Sequence, residues 1–202
     1  QITLLDRKFT HPPEFVRALR DLFELYANRV YRPGQAAPPA NHLPAYHVPP
    51  LVIFQLQTSL RPRCLTHPAE ALALIDALWT EKLLEPRLLC ADMLGYLPIT
   101  SSAQVLNRLQ LWCIPTEDRP VLQALLDSGA ATLRRKDVPL WLTTIQSWLN
   151  AADPAVQAVG LLALLPLIND PLYHNLPAVF TAATASRAAR RPSAMHAGTP
   201  TP

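Results

Sequence analysis

Glycine is scarce in this chain, at 5 of 202 residues, and cysteine scarcer still, at 3. So little glycine argues against a turn-rich β protein and supplies no glycine-rich loop to cradle phosphate, so a nucleotide-driven enzyme is not expected. Cys64, Cys90 and Cys113 are odd in number and widely spaced. They match neither a disulfide framework nor a zinc pattern, and a reduced, cytoplasmic setting is the simpler reading. No apolar run reaches the roughly 20 residues of a membrane span. "VGLLALLPLI" is ten long and contains Pro166. No secretory signal is visible from Gln1 onward. The six histidines show no His-x-x-x-His spacing, so no metal is expected, and no Gly-x-Ser-x-Gly elbow marks a serine nucleophile; no cofactor is expected.

Basic charge is also missing where it would matter. The net charge is +3, but Arg187, Arg190 and Arg191 lie in a tail, residues 186–202, that has no acid. Residues 1–185 then hold fifteen charges of each sign. A neutral body gives no bulk electrostatic support for nucleic-acid binding, although clustering can still create a basic face. The tail has almost nothing to bury and is expected to be disordered.

What the chain has is leucine, alanine and proline. Proline in a helix interior costs about 3 kcal/mol or more. The 22 prolines therefore fit a helical protein only if most sit between helices or at first turns, as in "THPPE", "LEPR", "EDRP" and "ADPA". Residues 13–30 carry Phe15, Leu19, Leu22, Phe23 and Tyr26 at helical spacing, with Arg17, Arg20, Asp21 and Glu24 on the other side. Residues 31–50 read as a long Pro-rich loop. Helices are expected near 50–61, 68–80, 85–96, 102–112, 118–128, 138–150, 153–168 and 175–184. The organisation is thus an N-terminal helical segment (1–30), a Pro-rich loop (31–50), a helical body (51–185) and a basic tail (186–202).

The body repeats. Shifted by 70 positions, "IDALWTEKLLEPRLLCADMLGYLP" (75–98) falls on "IQSWLNAADPAVQAVGLLALLPLI" (145–168). In both, an apolar helix ends near a Trp, a polar turn follows, and a Pro opens a second helix. Between them Trp112 and Pro120 occupy the same places. Trp79, Trp112 and Trp148 are 33 and 36 apart, and Pro86, Pro120 and Pro154 are each 34 apart. Three helix pairs at that period predict an α-solenoid in which each pair buries its apolar face on the next and the Trp residues seal the packing. A non-repeating helical bundle is the competing reading.

"ALALIDALWTEKLLEPRLLCADMLGYLP" and "WLTTIQSWLNAADPAVQAVGLLALLPLI" resemble the DNA alkylation repair family of HEAT-like repeat proteins, over about residues 48–184. The likeness rests on a Leu-Trp followed by Glu-x-Arg-x-x-Ala, here Leu78, Trp79, Glu85, Arg87 and Leu88, with Ala91 close by. It implies an all-α fold, a right-handed α-solenoid of HEAT-like antiparallel helix pairs with a concave face for duplex DNA. It also implies a glycosylase that excises cationic N3- or N7-alkylated purines without metal or base extrusion. A carboxylate near the deoxyribose would stabilise the oxocarbenium-like transition state, with Trp faces against the cationic lesion.

That family's Trp-Asp-x-x-Asp segment corresponds to "LWCIPTEDRP", where Cys113 and Thr116 stand at the acidic positions and Asp118 is the nearest catalytic candidate. Asp118 also suits the N-cap of a helix opening at Pro120. The candidate DNA contacts are Arg87, Arg108, Trp112, Arg119, Arg134, Arg135, Lys136 and Trp148. Each has a structural alternative. Arg87 suits an ion pair with a carboxylate such as Glu85 or Asp92. "LRRKD" (133–137) reads as a loop before a helix start, placed either to hold phosphate or simply to be solvated. Trp141 and Trp148, seven apart, share a helical face that suits the core. Ser101 and Ser102 read as helix caps. Two functions follow: a monomeric alkylation-repair-like protein on duplex DNA, or a catalytically inactive solenoid holding a protein or peptide partner.

Overall fold

The computed structural model describes residues 2–27 and 43–170, and among them every regular element is helical. The order is α1 (Ile2–Arg7), α2 (Pro12–Tyr26), α3 (Pro50–Thr66), α4 (Pro68–Trp79), α5 (Leu84–Tyr96) and α6 (Ser102–Trp112). It continues with α7 (Arg119–Ala124), a π-helical turn (Leu125–Gly129), α8 (Ala131–Lys136), α9 (Val138–Leu149) and α10 (Pro154–Ile168). The expected helix at 175–184 and the basic tail lie outside the described residues, as does most of the Pro-rich loop. The fold is all-α.

Proline placement explains the segmentation. Pro12, Pro50, Pro68, Pro120 and Pro154 stand in the first turn of their helices, where the missing N–H has no intrahelical partner to lose. Pro62 and Pro166 are exceptions inside α3 and α10. The helix expected at 50–61 therefore runs on through Pro62 to Thr66.

Three further expectations need correction. The helix opening at Pro12 ends at Tyr26, whose ring is exposed, and α1 precedes it unannounced. The helix expected at 118–128 is interrupted by the π-turn, closed by Ala130 N–H donating to Leu125 C=O at 2.9 Å. The basic run Arg134–Lys136 is the last turn of α8, where cations complement the helix C-terminal dipole, and not a loop.

The chain divides into two compact units, residues 1–141 and 142–202. In the first, α1 and α2 pack into the same unit as α3 to α8 instead of standing apart as an N-terminal segment. α2 buries Phe15, Val16, Leu19, Leu22 and Phe23 and packs on α4, while α1 packs on α3, where Arg63 forks onto Asp6 at 2.9 and 3.1 Å. At the centre is α5. It buries Leu89, Cys90, Ala91, Met93 and Leu94 and packs against α3, α4, α7, the π-turn and α8. Burying each large side chain contributes roughly 1.5–3 kcal/mol. Close approach is needed at Gly95, where a Cβ would overlap the carbonyl oxygen of Ser128. Thr132 Oγ1 then donates to the Gly95 carbonyl at 2.8 Å. In the second unit, Asp153 caps α10 by accepting Ala155 N–H at 2.8 Å, and a Cβ at Gly160 would come within 3.0 Å of the Leu149 side chain.

Candidate functional site

Three of the candidates, Arg87, Arg108 and Trp112, converge on the ends of α4, α5 and α6. Trp79 closes α4 and Trp112 closes α6, and their rings stack with centroids 4.2 Å apart and planes 10° from parallel. One turn earlier on each helix, Arg108 forks onto Asp76 through Nε at 2.7 Å and Nη2 at 2.5 Å. Both contacts advance in the same sense along the two helices, so α4 and α6 run side by side and parallel.

Arg87, in the first turn of α5, is committed three ways. Its guanidinium lies 4.5 Å over the Trp79 ring, its Nη1 reaches Glu117 Oε1 at 2.7 Å, and its Nε donates to the Glu81 carbonyl at 3.0 Å. Arg87 thus pairs with Glu117, not with Glu85 or Asp92. Glu117 also accepts Asp118 N–H at 3.1 Å. On the far side of this network Glu81 takes a two-pronged contact from Arg20 of α2, at 2.7 and 2.8 Å.

Asp118 and Glu85 hold main chain. Asp118 stands at the N-cap of α7, but its carboxylate makes no capping bond; Oδ2 accepts Leu43 N–H at 2.9 Å. Glu85 Oε1 accepts His47 N–H at 2.7 Å, and Leu84 N–H donates to Pro44 C=O at 3.0 Å. Residues 43–49, the end of the Pro-rich stretch, are thereby strapped across the α4–α5 connection and the start of α7. Tyr46 meets Phe23 at 5.7 Å, tilted by 53°, and Val48 is buried. Desolvation, followed by the charge of Glu24, raises the Tyr46 phenol above its ordinary range.

The other candidates are dispersed. Arg134 is buried, with Nη1 donating to the Leu126 and Asp127 carbonyls of the π-turn at 2.8 and 2.9 Å. Arg119, Arg135 and Lys136 are exposed. Trp148, in the second unit, is buried, as is Trp141 in the first. Ser101 precedes α6 without a side-chain cap.

Burial pushes the Cys64 and Cys113 thiols up to about 12 and Cys90 well above its ordinary range, so none supplies a thiolate at neutral pH. Asp92, desolvated on α5, is raised despite hydrogen bonds from Gln57 and Ser128. Among the described residues no three His, Cys, Asp or Glu side chains converge as a metal site, and no helix is long and apolar enough to cross a membrane.

Glu81, Glu117 and the strap are the parts that sequence reasoning missed. Charge alternation around "TEKLLEPR" was the available signal for Glu81, whereas the partners of Asp118 and Glu85 are main-chain N–H groups that no side-chain pattern encodes. No protein-family model matches this chain, and neither does any curated protein or solved structure.

Proposed function

We propose that this chain is a non-catalytic helical-repeat scaffold that binds a protein partner along the edge formed by α4 and α6. The observation carrying this reading is an apolar surface beside polar groups that satisfy one another. Leu111 and Ile114 are 63% and 42% exposed on either side of Trp112, and the nearby cations Arg87 and Arg108 are paired with Glu117 and Asp76. Exposed apolar patches with aromatics and an Arg-containing rim suit protein interfaces. A glycosylase needs a carboxylate facing the deoxyribose, whereas Asp118 and Glu117 are engaged with main chain and with Arg87. The parallel α4 and α6, followed by α5 and α7, which pack on each other, support an α-solenoid arrangement.

Duplex DNA is the second reading, favoured by the exposed Arg119, Arg135 and Lys136. Anisotropy of a labelled duplex between 50 and 200 mM salt separates the two. The scaffold reading expects no saturable binding. Saturable binding that weakens steeply with salt, as counterion release demands, and that falls further with Arg119→Ala and Lys136→Ala, favours DNA. A photo-cross-linker at position 111 that captures a partner, and loses it with Ile114→Asp, supports the protein-binding edge.

A further inference from the structure

Residues 43–49 lie extended in a seat formed by Leu84, Glu85 and Asp118. The seat's contacts to this internal occupant are main-chain contacts: Leu43 N–H to Asp118, Pro44 C=O to Leu84 N–H, His47 N–H to Glu85. Any extended segment carries these groups, provided its first and fifth residues are not proline. Pro44 and Pro49 fall where no N–H is used, and proline favours the extended backbone of the residue before it. Side-chain selection is confined to an aromatic against Phe23 and a buried aliphatic, supplied here by Tyr46 and Val48.

The internal occupant fits imperfectly in two independent ways. His47 has φ 54°, the left-handed region that an L residue with a Cβ enters at a cost. Glu85 is only 7% exposed, and its second oxygen, Oε2, is buried and accepts no hydrogen bond. Buried acceptors are ordinarily satisfied, so a donor is missing from the occupied seat.

We propose that this seat receives an extended, proline-flanked segment of a partner protein, with the pattern apolar-Pro-x-aromatic-Gly-aliphatic-Pro, and that residues 43–49 fill it in cis until displaced. Glycine at the fifth position adopts the left-handed backbone without the Cβ penalty and makes the incoming segment the better ligand. This rests on the scaffold reading only in that the ligand is a protein segment; the surface is not the α4–α6 edge.

The test uses the intact chain and two labelled octapeptides of residues 43–50, one native and one carrying His47→Gly. The substituted peptide is expected to bind about tenfold more tightly, the factor that relief of the left-handed penalty corresponds to. In excess, it is expected to speed amide exchange at Leu43 and His47 of the chain and leave α5 protection unchanged. A peptide carrying His47→Pro, which lacks the fifth N–H, is expected not to bind. Unchanged exchange at Leu43 and His47, or equal binding of all three peptides, overturns the proposal. So does exchange that rises with the chain's own concentration, since the occupant would then be a second copy. None of these failures bears on the duplex titration, which decides the scaffold reading separately.

Discussion

Trp79 and Trp112, 33 residues apart in sequence, stack face to face at the matching ends of α4 and α6, with Arg87 over the Trp79 ring. Aromatic pairs in such geometry contribute about 0.5–1.5 kcal/mol beyond the area they bury. A double-mutant cycle of Trp79→Ala and Trp112→Ala, read by urea unfolding, is expected to return a coupling energy of about that size. Additive losses would mean that the rings pack independently.

Arg87 joins the Trp stack, Glu117 and the Glu81 carbonyl. Arg87→Ala leaves a largely buried carboxylate uncompensated and is expected to cost about 3 kcal/mol. Arg87→Lys is expected to recover little of this, because an ammonium cannot stack and fork together. Recovery of most of the stability by lysine would reduce the role of Arg87 to its charge alone.

Gly95 inverts the ordinary helix ranking. In an exposed helix, alanine is more favourable than glycine by about 1 kcal/mol. Here Gly95→Ala is expected to destabilise by about 2 kcal/mol, because the new methyl overlaps the Ser128 carbonyl and forces α5 off the π-turn. A rise in the unfolding midpoint would show that the two elements do not approach so closely.

The cysteines give a pH dependence of defined sign. The thiols ordinarily titrate near 9.0, while burial pushes Cys64 and Cys113 up to about 12. Below pH 9 both the folded and unfolded chains keep these protons, and their favourable contribution is fully present. Between 9 and about 12 the unfolded chain loses them first, so stability falls as pH rises. Cys64→Ala with Cys113→Ala is expected to flatten this alkaline slope in denaturant midpoints, whatever its effect at neutral pH. A slope unchanged by the double substitution would place the loss on other groups.

The helical content was legible because prolines punctuate helices by a backbone rule that needs no tertiary context. Leu19, Leu22 and Phe23 likewise declared the buried face of α2 by spacing alone. The break at Leu125–Gly129 was not legible, since "LQALLDSGAATLRRK" carries no proline. At that break Ser128 lies against Gly95, some thirty residues away in sequence. Arg134 looked like a phosphate ligand for the same reason: the carbonyls that occupy it exist only once the π-turn forms. Asp118 and Glu85 were read through their side chains, and their partners are the backbone of a segment that reads as loop.

The proposed non-catalytic role, in which the polar groups of this fold hold its helices together and do not act on DNA, is open to a single-turnover excision assay. Alkylated duplex is incubated with excess protein and the released 3- and 7-alkylpurines are counted. Release is expected at the protein-free rate, identical for the native chain and Asp118→Asn. Release well above that rate, abolished by Asp118→Asn in a chain that keeps its unfolding midpoint, would contradict it.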